Sequence, residues 1–302
     1  MKPTLLVLAA GLGTRYGGLK QIDSVGPNGE TLIDYSIYDG IRAGFGKVVF
    51  VIRHYFERAF REKVSSKFEG RVEIACTYQE LDAGLGDFEL PPDREKPWGT
   101  GHAILISRDA IDGPFAVVNA DDYYGADALG AMVRFLTAEG HASNEYAMVG
   151  YTLRNTLSRY GTVARGVSRC DERMYLEEIV ERKSIEKTGE GARYIDDDGT
   201  AHALTGNEIV SMNLWGFQPS IFSYLQSQFA RFLQNRGHEP GAEFFIPSVV
   251  DELIRGKQAC VKVLHTNDSW FGITYRGDRA IAAKCMRDLI DKGVYPESLW
   301  GP

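Results

Sequence analysis

The chain has 302 residues, of which 44% are hydrophobic and 25% charged, a composition typical of a globular protein and not of a disordered, collagen-like or coiled-coil chain. Its 34 basic and 41 acidic residues give a formal charge of −7, which argues against broad nucleic-acid binding, because that needs a basic face. Local clusters of cations for a small anionic ligand remain compatible with this charge.

Neither a metal-binding cysteine cluster nor a membrane span is visible in the sequence. The four cysteines are far apart and form no C-x-x-C pair, which argues against a zinc site and a disulfide framework. No apolar run approaches the ~18 residues of a transmembrane helix. Lys2 precedes an apolar stretch as in a signal peptide, but Leu5–Ala10 is too short for one. We therefore expect a cytoplasmic enzyme without a membrane partner.

Strand-like and helix-like segments alternate through the first half of the chain. The apolar run Thr4–Ala10 predicts a strand that is buried on both faces and ends at a glycine-rich loop. Such alternation predicts a parallel sheet with helices on both faces. The later strands are expected at 47–53, 72–78 and 114–120, and the helices between them at 31–45, 55–68 and 101–109.

Residues 80–98 interrupt this alternation with three prolines and two glycines, so they predict a long loop. A loop of this length inside a compact domain is usually functional or mobile. We expect its central part, Ala83–Lys96, to act as a lid over a ligand, and a plain surface excursion is the alternative.

After about residue 145 the pattern changes to strands with little helix between them. The absence of a repeat, a linker or a low-complexity tract predicts one domain over residues 1–302, built on one mixed sheet. The expected strands are 146–153, 161–167, 175–180 and 208–217, with a hairpin tip at 195–199 and helices at 219–235, 243–255 and 276–292.

The strongest motif is the glycine-rich loop after the first strand, Leu8–Lys20 (LAAGLGTRYGGLK). Its glycines let backbone N–H groups converge on phosphate oxygens. The spacing fits neither G-x-G-x-x-G, because residue 16 is Tyr16, nor the P-loop motif, because no lysine follows Gly18 directly. Arg15 and Lys20 would neutralise a triphosphate, and surface cations beside a turn are the alternative.

This loop resembles the signature of the nucleotidyltransferases that make nucleotide-sugars from a nucleoside triphosphate and a sugar 1-phosphate, in a register similar to that of N-acetylglucosamine-1-phosphate uridylyltransferases. The resemblance implies a Rossmann-like α/β fold with a mixed, mainly parallel sheet and helices on both faces. Residues 1–145 would bind the nucleotide and residues 146–302 the sugar phosphate. Further matches follow in order at Gln79, Trp98–Ala103 (WGTGHA), Asn119–Asp122 (NADD), Tyr160–Val163 (YGTV), Glu181–Lys183 (ERK) and Gly241–Pro247 (GAEFFIP).

The resemblance assigns roles to individual positions. The catalytic cations would be Arg15, Lys20 and Lys183, and Asp121 would hold Mg²⁺. Gly161, Glu181 and Lys183 would bind the sugar phosphate. The implied nucleotide contacts are Ala10, Gly11, Gly13, Thr14, Gln79, Gly99 and Thr100.

Two of these roles have a direct chemical rationale. Asp121 ends a predicted central strand, where ligands of parallel α/β sheets collect, and a carboxylate is a hard oxygen ligand suited to Mg²⁺. Gln79 carries an amide donor and an acceptor that can match the edge of uracil or thymine. Its resemblance, with that of the WGTGHA segment, to the pyrimidine readers of the family implies a preference for UTP or dTTP. A turn or helix cap at Asp121 and a structural amide at Gln79 are the alternatives.

The chain also departs from the family pattern. Many of these enzymes carry a late Trp-x-Asp-x-Gly-Thr motif, whose aspartate completes the metal site. The corresponding stretch here is Trp270–Thr274, with Gly272 in the place of that aspartate. Asp268 and Asp278 flank it and are candidate replacements, so the second metal-binding carboxylate stays unassigned.

We predict the reaction of an NTP with a sugar 1-phosphate to give an NDP-sugar and pyrophosphate. One alternative is cytidylyl or other nucleotidyl transfer to a non-sugar phosphate or a cofactor. Another is a non-catalytic nucleotide-sugar sensor or regulatory subunit, with which Gly272 is consistent. Association into a homo-oligomer is left open.

Overall fold

Thirteen strands lie in the part of the chain that the structure, a computed structural model, describes: residues 1–11, 23–189, 191–196 and 198–301. The loop residues Gly13, Thr14, Arg15 and Lys20 lie outside these ranges. The strands are β1 (Thr4–Leu8), β2 (Lys47–Ile52), β3 (Glu73–Tyr78), β4 (Phe115–Asn119), β5 (Asp122–Tyr123), β6 (Glu145–Thr152), β7 (Val163–Cys170), β8 (Leu176–Thr188), β9 (Gly191–Ile195), β10 (Ala201–Leu204), β11 (Ile209–Phe217), β12 (Cys260–Leu264) and β13 (Phe271–Gly272).

Eleven of these strands form one mixed sheet. Its order is β10-β9-β8-β7-β11-β4-β1-β2-β3, with β6 paired to β11 and to β12, while β5 and β13 form a separate two-stranded ribbon. The strands β4, β1, β2 and β3 are parallel neighbours, and β11 joins β4 in the antiparallel sense. The predicted α/β fold, with a mixed, mainly parallel central sheet and helices, is confirmed.

Of the seven α-helices in the described residues, six cover the two faces of the eleven-stranded sheet, and the last one packs on the first helix and the two-stranded ribbon. Alternate residues of β1 show the two layers, because Leu5 and Val7 pack in the cluster that contains Ile33 and Ile37, whereas Leu6 packs in the cluster that contains Phe229 and Val250. The helices are α1 (Leu32–Ala43), α2 (Glu57–Lys63), α3 (Thr100–Leu105), α4 (Ala126–Thr137), α5 (Ile221–Arg236), α6 (Ile246–Arg255) and α7 (Asp278–Asp291).

Some element bounds differ from the predictions. The helix expected over 55–68 is interrupted, since α2 ends at Lys63 and short 3₁₀ turns precede and follow it. The serine pair after Val64 explains the break, because serine hydroxyls compete for backbone groups, and Ser66 Oγ donates to the carbonyl of Glu62. Strand β12 was not expected. The loop over 80–98 contains no helix or strand, as predicted.

Candidate functional site

The carboxyl ends of four parallel strands meet at one edge of the sheet. Leu8 of β1 pairs with Asn119 of β4 and with Val51 of β2, and Ile52 pairs with Tyr78 of β3. The residues that follow these strands therefore share one row, which is where α/β sheets bind ligands. The row runs through Gln79, Arg53, Ala10 and the segment 119–122.

At one end of this row, Gln79 is held by the WGTGHA segment. Its side chain is buried, and its Nε2 donates to the carbonyl of Gly99 at 2.9 Å and lies 3.3 Å from Nδ1 of His102. Gly99 has φ 102°, and a Cβ there would lie 2.8 Å from the carbonyl oxygen of Phe244. Only glycine fits this position. The close packing on Phe244 holds the Gly99 carbonyl in place to accept the hydrogen bond from Gln79.

The WGTGHA segment also contacts the GAEFFIP segment, so two of the matched motifs are neighbours in space. The N–H of Gly101 donates to the carbonyl of Phe244 at 2.9 Å, and the Phe244 N–H donates back to Trp98. The hydroxyl of Thr100 accepts from the N–H of Ile246 at 3.1 Å, where α6 begins. The Thr100 side chain thus joins α3 to α6.

At the other end of the row, Asp121 and Asp122 follow β4. Asp122 is buried, and its Oδ2 accepts from Nδ2 of Asn119 at 2.8 Å and lies 3.2 Å from the hydroxyl of Tyr124. Both aspartates line a cavity of about 140 Å³. The other lining residues are Asn119, Ala164, Arg165, Gly166, Glu181, Ser211, Met212, Asn213, Trp270 and Thr274.

The far wall of this cavity carries a carboxyl group and a buried cation. Burial raises the pKa of Glu181 to about 7, although Arg165 and Lys183 act in the opposite direction. Arg165 is buried with its Cζ 4.9 Å from the ring centroid of Trp270, and it donates to the carbonyls of Ala164 and Thr156. Burial lowers the pKa of Arg165 to about 10, so the guanidinium stays charged at neutral pH.

Two other predicted sugar-phosphate residues lie outside this lining. Lys183 is exposed on β8, two residues beyond Glu181 and close enough to lower the pKa of that carboxyl. Gly161 packs against Tyr275, because a Cβ there would lie 2.6 Å from the tyrosine hydroxyl. The structure thus brings Asp121 and Glu181 together at the cavity and leaves Lys183 at its margin.

Gly272, the departure from the family motif, faces one of the two aspartates. It pairs with Asp122 in the β5–β13 ribbon, and a Cβ at residue 272 would lie 2.2 Å from Asp122 Oδ1. The two candidate replacements have structural partners. Asp268 Oδ2 accepts from the N–H groups of Asp127 and Ala128 in the first turn of α4, and Asp278 Oδ2 accepts from two N–H groups ahead of α7.

Sequence analysis missed Arg165 and Asn213. Asn213 sits at a break in the register of β11 between Ser211 and Trp215, with φ 63°. A bulge of this kind leaves no periodic signal. Arg165 could have been noticed as a lone cation inside a predicted strand, because a buried arginine needs a functional or structural partner.

A cluster of metal-binding side chains and a membrane-spanning helix are both absent from the residues that the structure describes. In the described ranges, no three His, Cys, Asp or Glu side chains cluster closely enough to hold a metal ion without other ligands. None of the described helices is both long and apolar enough to cross a membrane.

Known structures share this fold. An inositol-1-phosphate CTP transferase from T. maritima superimposes with a TM-score of 0.59 at 15% identity, over 94% of this chain and 96% of its own. A UDP-glucose pyrophosphorylase complexed with UDP-glucose gives 0.59 at 16% identity, over 95% and 99%. A Bacillus anthracis protein assigned as a glucose-1-phosphate thymidylyltransferase, in complex with a sucrose, gives 0.62 at 12% identity, over 94% and 95%.

No curated protein matches the sequence. The sequence profile of the family described as nucleotidyl transferase matches residues 5–271, which contain the whole row of strand ends and every residue that lines the cavity except Thr274. The chain belongs to the nucleotidyl transferase family, and it is a nucleotidyltransferase.

Proposed function

We propose that this enzyme transfers a nucleotidyl group from UTP or dTTP to a sugar 1-phosphate, giving an NDP-sugar and pyrophosphate in the cytoplasm. The observation that carries the proposal is the order of groups along the sheet edge. Gln79 lies at β3, Ala10 at β1 and Asp121 after β4, with Glu181 across the cavity. This order suits a base, a triphosphate and a sugar bound side by side.

The spacing of the strands supports the same arrangement. Neighbouring strands lie ~4.8 Å apart, so β3 and β4, three steps apart, are separated by ~14 Å. An extended nucleoside triphosphate can place its base at Gln79 and its phosphates near Asp121. We propose that the glycine-rich loop binds those phosphates, through Gly11, Gly13, Thr14, Arg15 and Lys20.

The donor set after β4 fits a magnesium ion. Asp121 and Asp122 line one cavity, and Mg²⁺ usually takes one or two carboxylates together with substrate phosphates. We propose Asp121 and Asp122 as the carboxylates, because the Oδ1 of Asp122 occupies the space next to Gly272 that a side chain at residue 272 would need. When bound there, the ion would offset the charge that develops on the triphosphate.

The proposed chemistry needs positioning more than proton transfer. An oxygen of the sugar phosphate attacks the α-phosphorus, and the bond from that phosphorus to pyrophosphate breaks in line with the attack. The attacking phosphate is already ionised near neutral pH. Lys183 is proposed to orient this phosphate, and Glu181, whose pKa is raised to about 7, to hydrogen-bond sugar hydroxyls.

A pyrophosphate-release assay with Mg²⁺ tests the proposal. Purified enzyme is offered UTP, dTTP, CTP, ATP and GTP against glucose 1-phosphate, N-acetylglucosamine 1-phosphate and inositol 1-phosphate. Turnover of UTP or dTTP with a sugar 1-phosphate is expected. Turnover of CTP with inositol phosphate alone would replace this function with cytidylyl transfer, and nucleotide binding without turnover would indicate a regulatory protein.

A further inference from the structure

We propose that a hydrogen-bond relay from Ala83 through His102 to Gln79 fixes the Gln79 amide as an acceptor, and that with Arg53 it selects a base whose ring nitrogen N3 carries a hydrogen. This inference rests on the proposed function, because it concerns the base of the bound NTP. It makes His102 a positioning residue and Arg53 a base contact, roles that the matched motifs do not assign.

The first step is the orientation of the Gln79 amide. The carbonyl of Gly99 can only accept, so the atom of Gln79 that lies 2.9 Å away must be the nitrogen. The Gly99 carbonyl keeps this orientation, because the residue has a positive φ of 102° and its backbone packs against that of Phe244. One of the two amide hydrogens is therefore used inside the protein.

The second amide hydrogen is used by His102. Nε2 of His102 lies 2.8 Å from the carbonyl of Ala83, which can only accept, so Nε2 carries the hydrogen. The ring is fully buried and burial lowers its pKa to about 4, so it is neutral and Nδ1 is an acceptor. The nitrogen of Gln79, 3.3 Å from Nδ1, then donates to it.

With both amide hydrogens used, Gln79 presents a ligand with Oε1 alone. The N3 atom of uracil or thymine carries a hydrogen that can donate to such an oxygen. The N3 atom of cytosine carries a lone pair, which would face the lone pairs of Oε1. Placed opposite N3, the fixed amide therefore favours UTP or dTTP and disfavours CTP.

Arg53 supplies the complementary donor. Because Val49 and Val51 pack on the face that α3 covers, Arg53 lies on that face, between Ala10 and Gln79 in the row. It is two strands from β4, and its guanidinium contacts Glu80, the residue directly after Gln79, which places it on the side of the base.

The guanidinium of Arg53 has donors to spare. Its Nη2 lies 3.3 Å from Oε2 of Glu80, which uses one of the hydrogens on the two terminal nitrogens, and since Nε is buried, Nη1 and Nη2 are the donors that a base can reach. Arginine only donates, so its partner on the base is a carbonyl oxygen next to N3.

The experiment compares wild-type enzyme with His102→Phe, Arg53→Met and Arg53→Lys. Phenylalanine keeps the ring contact that His102 makes with Phe229, at 4.8 Å between centroids, but removes both ring nitrogens. The readouts are kcat/KM for UTP and CTP, nucleotide affinity by calorimetry without a sugar phosphate, and the melting temperature. We expect the UTP-to-CTP ratio to fall about tenfold in His102→Phe and Arg53→Met, and to recover partly in Arg53→Lys.

The outcomes separate this inference from the proposed function. Preference for UTP over CTP in binding, without turnover of any sugar 1-phosphate, would support the relay and reject the proposed reaction. Equal turnover of a sugar 1-phosphate with CTP and with UTP would reject the relay and support nucleotidyl transfer to a sugar 1-phosphate. A UTP-to-CTP ratio unchanged in Arg53→Met overturns the inference, even if His102→Phe fails to fold.

Discussion

At the scale of single residues, the proposed metal site consists of two neighbouring carboxylates with different surroundings. Asp122 is held by Asn119 and stands against Gly272, whereas Asp121 precedes the ribbon and its carbonyl accepts from the N–H of Ile273 at 3.0 Å. The pair thus couples the end of β4 to the late segment 270–274, which the family motif places near the metal.

Gly272→Ala tests this coupling. The new Cβ would lie 2.2 Å from Asp122 Oδ1 and 2.8 Å from Cζ2 of Trp270, so the carboxylate must move. We expect Mn²⁺ affinity, measured by electron paramagnetic resonance with UTP present, to fall about tenfold while the fold is kept. Gly130→Ala on α4, where the nearest atom to the new Cβ is the end of Arg134 at 3.3 Å, is the matched control. Equal Mn²⁺ affinity in the two variants would contradict a role for Asp122.

Asp121→Asn tests the proposed metal ligand with little change of shape. The amide keeps the size of the side chain but removes its charge, so the Mg²⁺ concentration that gives half-maximal turnover should rise. A loss of ~3 kcal/mol of transition-state stabilisation would lower kcat/KM about a hundredfold. The exposed Asp109→Asn is the control. Wild-type Mg²⁺ dependence in Asp121→Asn would remove this residue from the metal site.

At the scale of elements, the loop over 80–98 is packed against the body of the protein. Arg94 is buried with its Cζ 3.6 Å from the ring centroid of Trp98, and it donates to the carbonyls of Glu239 at 3.1 Å and Ala242 at 2.6 Å. Trp98 in turn donates to the carbonyl of Leu81. These contacts favour a docked segment over a lid that opens without nucleotide.

Arg94→Ala should therefore release the loop. The variant leaves four backbone carbonyls without their guanidinium donor, and we expect a loss of ~3 kcal/mol of unfolding free energy and faster hydrogen exchange over residues 83–96. Exposed Asp93→Ala is the control. If wild-type residues 83–96 exchange freely until UTP is added, the lid hypothesis is correct and the docked segment is not.

The parallel half of the sheet was predictable because each strand is an apolar run between helical patterns. The placement of Ala10, Gln79 and Asp121 in one row followed from the carboxyl ends of those strands. Arg165 and Asn213 could not be predicted in the same way. Whether their side chains face the cavity depends on the register of the bulged antiparallel strands β7 and β11, which sequence periodicity does not encode. Strand β12 was missed because its lysine, Lys262, breaks a short apolar run.

At the scale of the whole molecule, the two halves share one core. Leu5 of β1 and Leu214 of β11 belong to the same buried cluster, so side chains from both halves are buried together. The C-terminal part adds a third cluster, in which α7 and the residues after it pack on α1 and the β5–β13 ribbon. The ribbon therefore links the cavity to the end of the described chain.

A buried carboxyl group at this junction makes stability depend on pH. Asp39 of α1 accepts from the hydroxyl of Tyr295, which is also 2.8 Å from the hydroxyl of Tyr123 in the ribbon. Burial raises the pKa of Asp39 from 3.8 to about 7, although Tyr295 and Arg42 act in the opposite direction. A raised pKa means that the folded state holds the proton more tightly than the unfolded state. The contribution of Asp39 is therefore complete below pH 3.8 and is lost as pH rises through about 7.

Asp39→Asn removes this titration and keeps an oxygen that can accept from Tyr295. The variant should gain stability over wild type between pH 5 and pH 8 by at most ~3 kcal/mol, because about two pH units, at ~1.4 kcal/mol each, lie between pH 5 and the raised pKa of about 7. Urea unfolding at both pH values gives the two free-energy differences, and comparing variants cancels the titration of other groups such as Glu181. The exposed Asp109→Asn should show the same difference from wild type at both pH values. An Asp39→Asn difference that does not change with pH would mean that Asp39 is already ionised in the folded protein at pH 5, with Arg42, 3.9 Å away, offsetting its burial.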